Sequence, residues 1–149
     1  MSKSIPFLIA IVLTGQLYSQ NQVYRKEQAA HQTIIKLFDA LSNRDSIGLK
    51  YYSTADITLY EYGQVWNMDT LILKAITLNQ SADFKRTNSF EFINTTADEN
   101  MGWVTYRLQS IITRDGKEAT AQWLETVVLV KEKRQWKVKH LHSTLLKGN

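Results

Sequence analysis

The side chains best suited to acid–base or ligand-orienting chemistry cluster near the end of the chain. Glu125 lies within Trp123-Leu124-Glu125-Thr126-Val127-Val128-Leu129-Val130-Lys131, and His140 and His142 lie within Trp136-Lys137-Val138-Lys139-His140-Leu141-His142-Ser143. Both stretches are rich in β-branched and aromatic residues, the composition of strands, and Lys133-Arg134 between them reads as a two-residue turn. Counting back from that turn pairs Trp136 with Lys131, Val138 with Leu129, His140 with Val127 and His142 with Glu125. Side chains alternate faces along a strand, so His140, His142, Glu125 and Trp123 are expected on one concave face. Asp115-Gly116 is a strong hairpin signal, because a tight primed turn needs positive φ at both central positions. It extends the row by placing Tyr106 opposite Glu125. Phenol, carboxylate and imidazole then line up across three strands, with opposed Cβ atoms about 4.5–5.5 Å apart.

A carboxylate between a phenol and an imidazole inside apolar walls is costly unless each group is hydrogen-bonded. A satisfied charged hydrogen bond returns about 1.5–3 kcal/mol, and the nearby negative charge would raise the pKa of His142. The expected site is a pocket in which Tyr106, Glu125, His140 and His142 orient a small organic ligand, with Tyr60 and Trp123 as walls. The same residues support two other readings. One is cofactor-free general acid–base catalysis by His142 with Glu125, where proton transfer contributes typically about 10²–10⁴-fold. The other is a polar network that only fixes strand register. One bulge in either hairpin would turn part of the row outward.

Other chemistries are poorly supported. There is no cysteine, which removes disulfides, thiolate metal sites and a Cys nucleophile. His140-x-His142 could share a zinc ion with Glu125 as third ligand, but no Asp completes the sphere, and neither metal nor cofactor is expected. No Gly-x-Ser-x-Gly or phosphate loop occurs. Ser143 follows His142 directly and is expected on the opposite face. His31, among Ala and Gln on a helix, reads as packing.

The elements that must position these residues follow from periodicity. Tyr24 to Ser42 places Ala30, Ile34, Leu37, Phe38 and Leu41 at helical spacing. Asp45 or Ser46 can cap a short second helix through Tyr52. Ile57 to Tyr60 and Gln64 to Trp66 read as short strands around a Glu61-Tyr62-Gly63 turn, and Asn67 caps a third helix, Met68 to Leu78. Four long strands complete the chain: Phe84 to Ala97, Met101 to Thr113, Lys117 to Lys131 and Gln135 to Leu146. The result is an α+β fold: a strongly bent antiparallel sheet wrapped around three helices. Leu124, Thr126, Val128, Leu141 and Leu145 are expected on the convex side, where an exposed apolar face suggests a two-fold homodimer.

The first residues read as an address. Lys3 precedes an apolar run from Ile5 to Leu13, and Ser19 before Gln20 is a small-residue cleavage point, the pattern of a secretory signal. The run is too short to span a bilayer, which needs about 20 residues, and no Cys follows it to carry a lipid anchor. Residues 1–19 are therefore expected to be a signal peptide, residues 20–149 one exported domain, secreted or periplasmic, with no stable membrane insertion. Net charge is +4, concentrated in Lys131, Lys133, Arg134, Lys137 and Lys139. Only Trp136 interleaves with these, so a solvated hairpin that discourages edge pairing is expected rather than a nucleic-acid surface.

With this order of elements, the Trp123–Lys131 strand and the closing Trp-x-Val-x-His-x-His-Ser strand, the chain resembles the nuclear transport factor 2-like superfamily, in particular its SnoaL-like branch of small secreted bacterial domains. The resemblance runs from about residue 24 to 146. It implies a cone-shaped α+β barrel, often homodimeric, with a pocket between sheet and helices. Members include ligand binders, isomerases, dehydratases, cyclases and assembly domains, so a binding protein, an acid–base enzyme and a dimeric interaction module with a vestigial pocket all stay open.

Overall fold

A computed structural model describes the backbone of residues 6–148 and the side chains of residues 20–146. The expected signal segment, 1–19, lies outside the residues whose side chains are described. In chain order the elements are α1 (Pro6–Ser42), α2 (Ser46–Tyr51), β1 (Ser53–Glu61), β2 (Gln64–Trp66), α3 (Met68–Ile72) continued by a π-helical turn (Leu73–Thr77), β3 (Lys85–Ala97), β4 (Met101–Arg114), β5 (Lys117–Glu132) and β6 (Gln135–Gly148).

The helices form where capping and spacing dictate. Ala30, Ile34, Leu37 and Phe38 make the buried stripe of α1 and pack on the inner face of the sheet. Asp45 caps α2 by accepting from the Ile47 and Gly48 amides at 3.0 and 2.9 Å. Asn67 caps α3 through the Thr70 amide at 2.9 Å. Each of these bonds satisfies an N–H that the first helical turn leaves unpaired.

The six strands run β2-β1-β6-β5-β4-β3 in an open sheet. The hairpins at Tyr62-Gly63, Asp115-Gly116 and Lys133-Arg134 all have positive φ at both central residues, the twist-matched geometry of two-residue turns. One expectation is corrected here. The sheet is mixed, not antiparallel throughout, because β1 pairs with β6 in parallel. Turn signals report only the pairing of consecutive strands, and β1 reaches β6 across most of the chain.

Register decides which side chains enter the cone. The β4–β5 ladder runs without slip from Met101↔Val130 to Arg114↔Lys117 and sets Tyr106 opposite Glu125, as expected. The β5–β6 ladder follows the expected pairing from Glu132↔Gln135 to Leu129↔Val138, then slips. Val128 pairs with His140, Thr126 with His142 and Glu125 with Ser143. Lys139 is the extra residue of a β-bulge, and the side chains of β6 from His140 to Leu145 change face; the ladder shifts once more between Trp123↔Leu145 and Gln122↔Lys147.

Candidate functional site

The bulge overturns the expected His142–Glu125 pair. His142 is exposed, whereas Glu125 and Ser143 are buried. The Ser143 hydroxyl donates to Glu125 Oε1 at 2.9 Å, in the position expected for the imidazole. His140 also lies on the outer face, its Nδ1 2.7 Å from Thr58 Oγ1. Burial, then the neighbouring His142, lower its pKa. Tyr60 packs edge-on between His140 and His142, with ring centroids 4.7 and 5.7 Å away, so it is not a wall of the cone. Leu141, expected outside, is 3% exposed and belongs to the core. Leu124 is exposed on the outer face as expected, whereas Leu145, expected beside it, pairs with Trp123 after the bulge and so falls on the inner face. His31 stacks on Phe92 and sits 2.6 Å from Thr95 Oγ1, a packing role.

Tyr106, Trp123 and Glu125 do point inward. Tyr106 is fully buried beneath Phe38, Phe90 and Phe92. Its hydroxyl and Glu125 Oε2 are buried without a partner of regular hydrogen-bond geometry, although the phenol is close enough to Glu125 to act on it as a donor. Burial, then the charge of Glu125, push the phenol far above its ordinary pKa. Burial also raises the pKa of Glu125, with Tyr106, Ser143 and Arg86 pulling the other way.

Two functional candidates escaped the sequence reading. Arg86 and Glu61 both face the cone. Arg86 shares the inner face of β3 with Asn88, Phe90 and Phe92, and this two-residue alternation of a charge with aromatics was a visible signal. Its Nε donates to Asn88 Oδ1 at 2.9 Å and its Nη2 to Ser110 Oγ at 3.0 Å. The guanidinium carbon lies 5.6 Å from both the Phe38 and Trp123 rings. Burial lowers the Arg86 pKa, opposed first by Glu125. Glu61, assigned to a turn by sequence, instead ends β1. Its pKa is raised to about 7, first by burial and then by Glu125. Two carboxyl groups in one partly dry site cannot both ionise cheaply, so they titrate as a coupled pair.

These side chains line a cavity of about 210 Å³ walled by Phe38, Leu41, Tyr62, Trp66, Leu71, Ala75 and Trp123, with Glu61, Lys74, Arg86 and Glu125 as its ionisable groups. It adjoins an outer vestibule of about 710 Å³, which shares Leu41, Tyr62, Lys74, Ala75, Arg86 and Trp123 and adds Arg114 and Lys117 at the rim. A concave, largely apolar space with a few convergent polar groups is the usual form of a small-molecule site.

Comparison with known proteins agrees with this architecture. Residues 31–146 match the SnoaL-like domain. No curated protein matches the chain in sequence. Among solved structures, a conserved protein from Planctomyces limnophilus superposes with TM-score 0.73 at 13% identity, over 83% of this chain and 99% of that one. A ketosteroid isomerase-like protein from Erwinia carotovora atroseptica gives 0.66 at 15%, over 82% and 97%. The CaMKII hub of S. rosetta gives 0.65 at 20%, over 80% and 95%. At these identities the likeness is one of fold.

Proposed function

The chain belongs to the family of SnoaL-like domains, and for this member we propose that the cone takes up a small organic ligand. The observation that carries the reading is a cavity whose apolar walls end in a charged floor of Glu61, Arg86 and Glu125. A core built only for stability gains nothing from such a floor, because buried charges without matched partners cost free energy. The ligand's apolar body lies against Trp66, Trp123 and Leu71, and its polar end meets the floor. Native mass spectrometry of the protein purified from its own host tests this. The expected result is a retained small molecule that denaturing conditions release and that Leu71→Trp, which fills the cavity, excludes. Equal retention by Leu71→Trp would place the ligand elsewhere.

A second reading, an acid–base enzyme, is favoured by Glu61. A carboxyl group with a pKa of about 7 is poised to take and return a proton at neutral pH, and the ketosteroid isomerase-like neighbour shares the fold. In this reading Glu61 replaces His142 as the proton-transfer group. Turnover of any substrate would collapse in Glu61→Gln and persist in His142→Ala.

The proposal includes two settings for the domain. The first is export, with residues 1–19 removed as a signal peptide and the domain secreted or periplasmic. Amino-terminal sequencing of protein recovered outside the cytoplasm should begin at Gln20. The second is a two-fold homodimer through the convex face, where Trp103, Ile111 and Leu124 are exposed. Sedimentation should give a dimer mass that Leu124→Asp reduces to the monomer.

A further inference from the structure

We propose that the occupant of the cone is an organic anion, an aromatic monocarboxylate whose carboxylate docks on the Arg86 guanidinium. The proposal rests on the cone being a ligand site and adds the chemical class of the ligand. It starts from a cation with no carboxylate in contact. The described hydrogen bonds of Arg86 go to neutral acceptors, Asn88 Oδ1 and Ser110 Oγ. That cradle is itself braced: Ser110 Oγ donates to Asn88 Oδ1 at 2.7 Å, and Asn88 Nδ2 donates to Ser42 Oγ at 2.8 Å. Among the described residues, no carboxylate lies within salt-bridge distance of Arg86. A guanidinium lifted out of water without a contact anion is expensive, and its planar fork matches a carboxylate's two oxygens. The bonds described use Nε–H and one N–H of Nη2, so both N–H groups of Nη1 and the second of Nη2 are left for a ligand's two oxygens.

The protein's own acids do not touch it. Glu125 gives Oε1 to Ser143 and its Oε2 has no hydrogen-bond partner, so Glu125 and Glu61 act on Arg86 only through space. At the rim, Lys74, Arg114 and Lys117 meet two carboxylates, Asp115, 3.9 Å from Arg114, and Asp83, which accepts from the Asp115 and Gly116 amides, so three cations stand against two anions. The approach to the cone therefore carries a positive field that steers anions inward. The walls favour an organic occupant over an inorganic one. Trp66, Trp123 and Tyr62 present aromatic surface, which favours a flat apolar body over a hydrated ion.

Isothermal titration calorimetry of the full chain at pH 7 tests the class with three probes of one shape: 2-naphthoate, 2-naphthamide and 2-naphthylmethylammonium. A charge-assisted contact predicts that naphthoate binds at least about tenfold tighter than the amide, with the ammonium weakest. Arg86→Gln should erase the preference while amide binding persists. Because Arg86 also organises Asn88 and Ser110, a second variant guards against misfolding. Lys74→Gln/Arg114→Gln/Lys117→Gln should weaken naphthoate alone and flatten its salt dependence. Equal binding of acid and amide, or strongest binding of the ammonium, would overturn the anion assignment and leave the cone a ligand site. Failure of all three probes, together with no retained molecule in native mass spectrometry, would take down the ligand-site reading itself.

Discussion

Glu61 gives the electrostatics of the cone a quantitative test. Its carboxyl is pushed from 4.5 to about 7, mostly by burial and then by the charge of Glu125, with Ser143 and Arg86 opposing. The folded chain therefore holds this proton more tightly than the unfolded chain does. Below the unfolded value of 4.5 both states are protonated, and the site carries no penalty. As pH rises from there through the folded value of about 7, the unfolded state releases its proton first and stability falls. At about 1.4 kcal/mol for each tenfold in proton affinity, the displacement corresponds to about 3 kcal/mol. Glu61 keeps part of its surface in water, so screening reduces this to about 1–2 kcal/mol. Glu61→Gln keeps the shape and removes the titration. It should equal the parent at pH ~4 and exceed it by about 1–2 kcal/mol at pH ~8. For a domain of this size that is an upward shift in Tm of roughly 3–8 °C. Thermal or urea unfolding across this pH range measures it. A difference between the two proteins that stays constant with pH would refute the reasoning, as would a variant that is the less stable at alkaline pH.

Three further outcomes follow from the same geometry. Ser143→Ala removes the donor to a buried carboxyl oxygen and should cost about 1–2 kcal/mol in urea unfolding near neutral pH. His142→Ala, on the exposed outer face, should change stability by less than about 0.5 kcal/mol and leave ligand affinity intact; loss of binding in this variant would contradict the observed β5–β6 register. Asp45→Ala deletes the α2 cap and should cost about 1 kcal/mol, again read by urea unfolding.

Most of the fold was legible because its signals are local. Asp115-Gly116 pins the β4–β5 register for the full length of both strands, so one dipeptide was enough to set Tyr106 against Glu125. Asp45 and Asn67 marked helix starts because a side-chain oxygen there finds amides only two or three residues on. The parallel β1–β6 pairing was not legible, since no turn joins those strands. Arg86 was overlooked for another reason. Sequence shows a charge on a strand, and charges usually face water, but alternation with Asn88, Phe90 and Phe92 puts this one inside. Glu61 was hidden by the turn beside it, which begins one residue later than expected.

The bulge at Lys139 is where local reading fails on physical grounds. Lys139 sits in an alternating run with no glycine, proline or Asn to mark a break. What holds the bulge in place lies on the neighbouring strand. Between Ser53↔Val138 and Thr58↔His140, β1 spends four residues where β6 spends one, so β6 is irregular against both of its neighbours at the same point. The Lys139 ammonium pairs with Asp56, a residue of that looped-out stretch of β1. The ion pair is exposed, and such pairs contribute little stability; its effect is on which way the bulged residue faces. One extra residue then decides the chemistry of the floor. With a regular ladder, His142 would face Glu125, and the cone would hold an imidazole with a carboxylate as its ion partner. With the bulge, a neutral hydroxyl takes that place. Glu125 and Glu61 then share a site with no imidazolium beside them, where burial first and Glu125 second hold the Glu61 carboxyl near 7, and Arg86, three strands away from β6 on β3, is left as the charge that a ligand can meet.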